Sequence, residues 1–310
     1  MLTKKFTALV LLLLLVLMPT GCASYNQSFN NEETLPTQQD GLNQSQAGPQ
    51  QSPATEGTGE LKVHFIDVGQ GDAILVQSPS GGNMLVDAGD NDHGETVVDY
   101  LRVHNVNSLD IVIGTHPHAD HIGGLDTVID SFPVKSVYLP RVTHTSKSFE
   151  DVLEAIDNKD LKINTARAGV VLPLPGVQSS LIAPAAEKYE ELNNYSAVIK
   201  ITYGTKSFLL TGDAEDESEQ QMINGGQNLQ ATVLKVGHHG SSSSTSYSFL
   251  QAVKPEYAVI MLGKDNSYGH PHKETLSRLS KAGIKILRTD KNGNIVISTD
   301  GEIIDVKTDR

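Results

Sequence analysis

Three histidines and one aspartate fall within six residues, from His116 to His121, in the order His-Pro-His-Ala-Asp-His. The apolar run Ile111-Val112-Ile113 precedes them and is typical of a short buried strand. Gly114 and Pro117 break regular structure, so we expect the cluster to lie on a turn at the end of this strand. Imidazole and carboxylate groups are the ligands that zinc and similar divalent metals prefer. The pattern predicts a metal site; the alternative is a polar loop that is rich in histidine by chance.

The spacing within the cluster indicates two metal positions rather than one. Alternate residues of an extended turn point the same way. His116 and His118 can therefore share one ion, while Asp120 and His121 reach a neighbouring ion.

Metal-competent side chains recur after three other apolar segments of the chain. Asp87, Asp213 and the pair His238-His239 each follow such a segment. Taken singly they are ordinary, because an aspartate beside a glycine is often a turn residue and a histidine pair is often exposed. Ligands fixed at strand ends need little further ordering. Together with the histidine cluster, they predict one site for two divalent metals, Zn²⁺ or Mn²⁺.

Short strands and helices alternate from residue 61 onward. Apolar runs predict strands at 62–68, 73–77, 84–86, 111–113, 134–139, 177–183, 197–203, 206–210, 232–236, 257–262, 285–289, 295–298 and 303–306. Residues 162–177 are predicted to form strands broken by Gly169, Pro173 and Pro175. Apolar residues at helical spacing predict helices at 97–103, 125–132, 148–158, 214–223 and 274–282, and another that runs through Phe249. The strands form two groups with helices between and after them, and we find no linker. This predicts one layered α+β domain over residues 61–310.

The first residues have the pattern of a secretory signal. Lys4-Lys5 is followed by an apolar run from Phe6 to Met18, which is short for a membrane span. Cys22 is the only cysteine, so neither a disulfide within the chain nor a cysteine metal ligand is expected. Its position resembles a bacterial lipobox, although Pro19 stands where an aliphatic residue is usual. We therefore predict a signal peptide over 1–21 and a lipoprotein anchored by Cys22 to the cell membrane, outside the cytoplasm; the alternative is an ordinary signal cleaved nearby.

Residues 22–60 are rich in Asn, Gln, Ser, Pro, Thr and Gly and hold few large apolar residues. Such a stretch buries too little surface to offset its ordering entropy, which predicts a flexible surface tether. The net charge of −13 provides no basic surface for nucleic acid. It weighs against tight nonspecific binding of DNA or RNA.

Residues 61 to 310 resemble the metallo-β-lactamase superfamily, whose His-x-His-x-Asp-His motif is intact at 116–121. Within that superfamily they resemble the hydrolase domain of ComEC-type competence proteins. The matching segments are Phe65-Ile66-Asp67-Val68-Gly69-Gln70-Gly71-Asp72, Leu210-Thr211-Gly212-Asp213, Lys235-Val236-Gly237-His238-His239-Gly240-Ser241 and Tyr268-Gly269-His270-Pro271-His272. The resemblance implies a four-layer αββα sandwich with the metals at one sheet edge. ComEC itself is a multi-span membrane protein, whereas no transmembrane bundle is predicted in this sequence. We therefore do not expect this chain to be a DNA channel.

The resemblance also implies a ligand set, by position: His116 and His118 for the first metal, Asp120, His121 and His238 for the second, and Asp213 between the two. Asp87 would orient the histidine loop, and Asn194 and Ser241 are further candidates for supporting residues. The superfamily usually supplies another histidine near Asn193-Asn194-Tyr195-Ser196, where this chain has none. The first metal is therefore expected to be weakly held, or completed by an asparagine, a water molecule or the substrate.

Catalytic roles follow from a metal-bridged hydroxide as the nucleophile. Asp120 would hold that hydroxide, and His239 or His270 would donate to an oxygen of the transition state, as Ser241 also could. Lys235 has two interpretations, a cation that neutralises the substrate or a solvated lysine. Asp67, Gln70 and Asp72 are either ordinary turn residues or support beside the site.

The leading hypothesis is a surface-tethered, metal-dependent hydrolase of phosphodiesters, with nucleic acid among the candidate substrates. One alternative is hydrolysis of a small ester, lactone or phosphodiester of the cell envelope. Another is a non-catalytic binding lipoprotein in DNA uptake. The sequence leaves the oligomeric state open.

Overall fold

Fourteen strands and eight helices make up the part of the chain that the computed structural model describes, residues 59–310. The strands are β1 (Leu61–Phe65), β2 (Ala73–Gln77), β3 (Asn83–Ala88), β4 (Ile111–Ile113), β5 (Val137–Pro140), β6 (Ile163–Ala166), β7 (Gln178–Ala183), β8 (Val198–Tyr203), β9 (Lys206–Leu210), β10 (Val233–Lys235), β11 (Tyr257–Ile260), β12 (Lys285–Arg288), β13 (Ile295–Thr299) and β14 (Ile304–Thr308). The helices are α1 (Gly94–Val103), α2 (Ala119–Ile122), α3 (Leu125–Ser131), α4 (Lys147–Asn158), α5 (Asp216–Asn224), α6 (Tyr247–Val253), α7 (Lys273–Lys281) and α8 (Thr289–Asn292). Two 3₁₀ turns cover Leu192–Tyr195 and Gly237–Gly240.

The strands form two sheets. The first has the order β14-β13-β1-β2-β3-β4-β5-β6 and the second β12-β11-β10-β9-β8-β7. Strands β3 to β6 run parallel, as do β9 to β12, whereas the remaining pairs are antiparallel. Parallel strands end at a common edge, so the loops after β3 and β4 lie side by side, as do those after β9 and β10.

Alternation along the strands builds the core between the sheets. Ile111 and Ile113 of β4 face that core, whereas Val112 faces the helices on the other side. Helices α1, α3 and α4 cover the outer face of the first sheet. Helices α5, α6 and α7 cover that of the second, with Phe249 and Leu279 buried. The layers are helix, sheet, sheet, helix, which confirms the predicted αββα sandwich.

The histidine cluster differs from the expected turn in one respect. Residues from Ala119 to Ile122 form a single helical turn, in which the amide of Ile122 donates to the carbonyl of His118 (3.1 Å). The amide of Asp72 donates to the carbonyl of Asp120 (3.1 Å) and holds this short helix from outside. Four residues are too few to show helical periodicity in a sequence.

The predicted signal peptide, Cys22 and nearly all of the tether lie outside the described residues. Within residues 59–310, no helix has the length and apolarity needed to cross a membrane.

Candidate metal centre

Asp87, near the end of β3, holds the loop that follows β4. Its buried carboxylate accepts hydrogen bonds from the backbone amide and the hydroxyl of Thr115, both at 2.7 Å. Its Oδ2 also lies 2.8 Å from Nδ1 of His121. These three contacts fix the backbone of the loop and one ring nitrogen of His121.

Asp120, His121, Asp213 and His239 bring their ligand atoms within 4.8 Å of one another. Asp213 Oδ2 lies 3.2 Å from His121 Nε2 and 3.4 Å from His239 Nε2. His239 Nε2 is also 3.3 Å from Asp120 Oδ2. Ligand atoms on a tetrahedral ion with bonds of about 2.1 Å are roughly 3.4 Å apart. The four side chains therefore have the spacing of one metal site.

The nitrogen atoms that point into this group have no other hydrogen-bond partner. Among the described residues, His121 Nε2 and His239 Nε2 are buried without one. The opposite nitrogen of each ring is engaged, by Asp87 for His121 and by the carbonyl of Met261 (2.9 Å) for His239. Such hydrogen bonds leave the Nε2 lone pair free for a metal. Because unsatisfied buried polar atoms are costly, these residues fit a divalent cation.

Asp213 Oδ2 also faces a second set of histidines. It lies 3.9 Å from His116 Nε2 and 3.9 Å from His238 Nε2. His116 Nε2 is in turn 3.0 Å from His118 Nδ1, so this predicted pair is brought together. One carboxylate oxygen therefore lies within 4 Å of four histidine nitrogens.

The buried charges of the centre depend on one another. Burial alone would lower the pKa of His121, but the carboxylates of Asp213, Asp120 and Asp87 raise it well above its usual range. The same competition, with Asp213 again the main carboxylate, raises the pKa of His239 to about 9. Burial would raise the pKa of Asp213, whereas His121 and His239 hold it well below its usual range. The group thus attracts positive charge, and a metal ion there would displace protons from the imidazoles.

The sequence profile of the Metallo-beta-lactamase superfamily matches residues 66–264, which include every ligand described above. The chain belongs to the metallo-β-lactamase superfamily. ComE operon protein 3 of Bacillus subtilis is 36% identical over 253 residues, which are 76% of this chain and 33% of that protein. Competence protein ComA of Neisseria gonorrhoeae is 31% identical over 236 residues, 76% of this chain and 32% of that protein. These relatives confirm the resemblance to competence proteins, of whose length the chain spans about a third.

A solved structure shares the superfamily fold. The metallo-beta-lactamase fold protein YhfI from Bacillus subtilis superposes with a TM-score of 0.54 at 16% identity, covering 77% of this chain and 100% of that one.

The two histidines after β10 are adjacent in sequence, and both have a left-handed backbone conformation. His238 and His239 have φ values of 45° and 51°, which few residues other than glycine adopt. The sequence prediction gave His238 to the second metal and a donor role to His239. The structure instead places His239 in the four-residue group. The ring of His238 lies farther from Asp213, with Nε2 3.9 Å from Oδ2, and its Nδ1 is 2.9 Å from Glu215 Oε1.

The window without the superfamily histidine is a 3₁₀ turn that supports its neighbours. Asn194 Oδ1 accepts hydrogen bonds from the backbone amides of Glu215 (3.1 Å) and Ser218 (3.2 Å) and so holds the start of α5. Ser196 Oγ accepts from the amide of Asp213 (3.0 Å) and lies 3.4 Å from His116 Nδ1. Asn194 therefore supports a helix rather than a metal, and Ser196 contacts a candidate ligand on each side.

The segment after β11 brings an aromatic pair to the rim of the centre. The ring of His270 lies 5.4 Å from that of His238 and 6.2 Å from that of His239. Tyr268, 65% exposed, stacks on His270 with 5.7 Å between the ring centroids. Burial and the neighbouring histidines, His238 first, lower the pKa of His270 to about 4, so this ring is neutral at pH 7.

Ser241 is linked to the candidate ligand His238 through Ser243 and Glu215. Its hydroxyl lies 2.9 Å from that of Ser243, which donates to Glu215 (2.7 Å). Glu215 is thus the common partner of Ser243 and His238 and was missed in the sequence. Its position two residues after Asp213 was the available signal.

The structure contradicts both interpretations of Lys235. The side chain is fully buried, so it neither contacts solvent nor reaches a substrate. Of the turn residues, Gln70 accepts from the amide of Gly263 (3.2 Å), and Asp67 pairs with Arg310 (2.9 Å).

Proposed function

We propose that this superfamily member is a two-metal phosphodiesterase, with nucleic acid as its substrate class. One observation carries the proposal: four histidine nitrogens, from loops of both sheets, face the single atom Asp213 Oδ2. Such an arrangement supports a carboxylate that two ions would share.

We assign the ligands to two sets. Asp120, His121 and His239 would hold one ion, and Asp213 would be shared. His116, His118 and His238 would hold the other, so that His238 takes the place of the histidine that the superfamily supplies elsewhere. Glu215 would fix the ring of His238 as Asp87 fixes that of His121.

Two divalent ions, when bound, polarise a phosphoryl oxygen and activate water as a nucleophile. The residues of the chain supply access and orientation. The side chain of Asp120 is 33% exposed and that of His238 is 26% exposed, whereas Asp213 and His239 are buried. The substrate phosphate would approach on this open side. His270, neutral and beside it, would donate a hydrogen bond to a phosphoryl oxygen.

Two observations favour nucleic acid among phosphodiesters. The relative from Neisseria gonorrhoeae is named a competence protein. The stacked pair Tyr268 and His270 provides an exposed aromatic face next to the centre, on which a base can stack. The net charge of −13 opposes tight binding, so we expect contacts with few phosphates.

The test is turnover of two substrates by the purified protein loaded with Mn²⁺ or Zn²⁺. Labelled single-stranded DNA and bis-p-nitrophenyl phosphate should both be cleaved, and Asp213→Asn should lose at least a hundredfold in rate. Asp110→Asn is the matched control, since Asp110 binds the amide of Asn83 away from the centre. Metal analysis should find two ions per chain, and about one in His239→Ala.

Three results separate the rival functions. Turnover of the small diester without cleavage of DNA would leave a hydrolase of small envelope substrates. Fewer than one bound ion, with no rescue by added Mn²⁺, would favour the non-catalytic lipoprotein. Equal rates for Asp213→Asn and the wild type would exclude this centre from the reaction.

We also propose that a lipid on Cys22 holds the protein at the outer face of the cell membrane. The support is the sequence pattern alone. Cys22→Ala should move the protein from the membrane fraction to the medium. Mass spectrometry should find a diacylglyceryl group on the wild-type cysteine, and an unmodified cysteine would contradict the proposal.

A further inference from the structure

The ammonium group of Lys235 is enclosed behind the metal centre. The side chain has no exposed surface, although it is among the largest fully buried side chains in residues 59–310. Its Nζ lies 2.7 Å from Asp72 Oδ2 and donates to the carbonyl of Gly212 (3.0 Å). The third nearby oxygen is Asp213 Oδ1 at 3.7 Å. A buried charge is costly unless it is paired, and here every neighbour identified is an oxygen.

The two oxygens of Asp213 face different partners. Within the described residues, Oδ1 forms an ion pair with Lys235 alone, whereas the histidine contacts all involve Oδ2. A carboxylate that is free to rotate can bind one ion through both oxygens. Oδ1 is buried and has no hydrogen-bond partner, so the ammonium of Lys235 acts on it at 3.7 Å through charge alone, and this attraction opposes that mode.

We infer that Lys235 is a positioning residue for the metal centre, whose charge attracts Asp213 Oδ1 and so directs Oδ2 toward the histidines, as the atom that two ions would share. The inference rests on the two-metal centre proposed above. Lys235 does not touch the substrate, and it acts only through Asp213.

Asp72 makes the ammonium a link between the two sheets. Lys235 ends β10 of the second sheet, and Asp72 precedes β2 of the first. The backbone of Asp72 donates to the carbonyl of Asp120 (3.1 Å) and accepts from the amide of Gly89 (2.8 Å). It is therefore tied to the histidine cluster and to the loop after β3. The ion pair sets the position of Asp213 relative to that cluster.

Gly71 shows how closely this turn approaches the cluster. Its φ is +145°, and a Cβ atom there would lie 2.3 Å from the carbonyl oxygen of Asp120. Only glycine allows the turn to carry Asp72 to this place.

The experiment compares four variants of the whole protein. Lys235→Met removes the ammonium and nearly keeps the side-chain volume, but leaves the buried carboxylate of Asp72 without its nearest cation. The double variant Lys235→Met/Asp72→Asn removes both charges and tests the inference if the single variant does not fold. Asp72→Asn alone keeps the ammonium, and its amide oxygen still accepts from it. Lys200→Met is the matched control, because Lys200 lies in β8 and donates to the carbonyl of Asn228.

The readouts are Mn²⁺ titration and the electron paramagnetic resonance spectrum at two equivalents. The wild type, Asp72→Asn and Lys200→Met should bind two ions and give the spectrum of an exchange-coupled pair. The Lys235→Met variants should bind the second ion at least about tenfold more weakly and give the spectrum of isolated Mn²⁺. Circular dichroism and gel filtration verify that each variant is folded.

A merely structural role for Lys235 predicts a different result. If the folded double variant binds two ions with wild-type affinity and a coupled spectrum, Lys235 does not position Asp213. If Asp72→Asn alone abolishes the coupling, Asp72 is the positioning residue and the assignment to Lys235 is wrong. Fewer than two ions in the wild type would instead overturn the two-metal proposal, and the inference with it.

Discussion

Replacing Asp87 by asparagine changes one acceptor without changing the shape of the side chain. The native carboxylate accepts from the amide and hydroxyl of Thr115, and it faces Nδ1 of His121. Asp87 has a left-handed backbone with φ of 58°. Asparagine tolerates that conformation better than most residues. The backbone should therefore stay in place, and the effect should come from the hydrogen bonds alone.

An amide cannot satisfy all three donors. With its oxygen toward the amide of Thr115, its NH₂ group faces the Thr115 hydroxyl and the N–H of His121. Turned around, the NH₂ group faces the backbone N–H instead. The ring of His121 can relieve the conflict by moving its proton to Nε2, the atom that points into the metal group. Asp87→Asn should thus weaken metal binding about 10- to 100-fold, or about 1.4–2.7 kcal/mol.

The assay is metal affinity by competition with a chromogenic chelator, for the wild type, Asp87→Asn and the control Asp110→Asn. Thermal unfolding in EDTA measures the metal-free protein, which should lose about 1–3 kcal/mol if a buried donor stays unpaired. Wild-type metal affinity in a folded Asp87→Asn protein would refute the claim that this hydrogen bond sets the His121 ring.

Three further predictions concern other parts of the molecule. Burial, with His104 next, lowers the pKa of His64 to about 3. The unfolded state therefore binds a proton more tightly. As the pH is lowered from 6.5 to about 3, the free energy of unfolding should fall by up to about 1.4 kcal/mol per pH unit. Urea unfolding should show a smaller fall for His64→Gln, and an equal fall in both proteins would contradict this. Tyr268→Ala should raise the KM for single-stranded DNA about tenfold and leave bis-p-nitrophenyl phosphate unaffected, while Tyr268→Phe retains the wild-type KM. The KM for DNA should depend weakly on salt, with a logarithmic slope of no more than about 1.4 for two phosphate contacts; a slope above about 3 would reveal a basic surface that we did not find.

Hydrophobic periodicity was sufficient to predict several of the strands that lead into the site. The strands 73–77, 111–113 and 206–210 have the predicted bounds, because each is a short run of apolar residues between turn signals. The ligand-bearing loops follow these and neighbouring strands, so the groups that meet were visible in the sequence. Their meeting also needs two sheets packed face to face, which came from the superfamily resemblance.

The sequence did not predict which of the two histidines, His238 or His239, joins the four-residue group. Both residues have positive φ, and residue type alone does not dictate that conformation for histidine. In an extended segment the side chains of His238 and His239 would point to opposite faces, so the direction of each ring depends on this backbone conformation. The role of Lys235 was hidden for a similar reason, since its partner Asp72 belongs to the other sheet and lies far away in sequence.

The metal centre and the packing of the two sheets form one energetic unit. The first sheet supplies Asp87 and the histidine cluster, and the second supplies Asp213 and the pair after β10. Where they meet, the amide of Ala197 donates to the carbonyl of Thr115 (2.9 Å). An ion held by ligands from both sheets would bind only the folded state in which the sheets are packed together. At a free concentration of a hundred times its Kd, the ion would stabilise that state by about 2.7 kcal/mol. The left-handed conformation of each histidine costs on the order of 1–2 kcal/mol, and the free energy of ion binding at that concentration would largely offset this cost. The left-handed conformation of this pair is thus one that metal binding at the candidate centre would sustain.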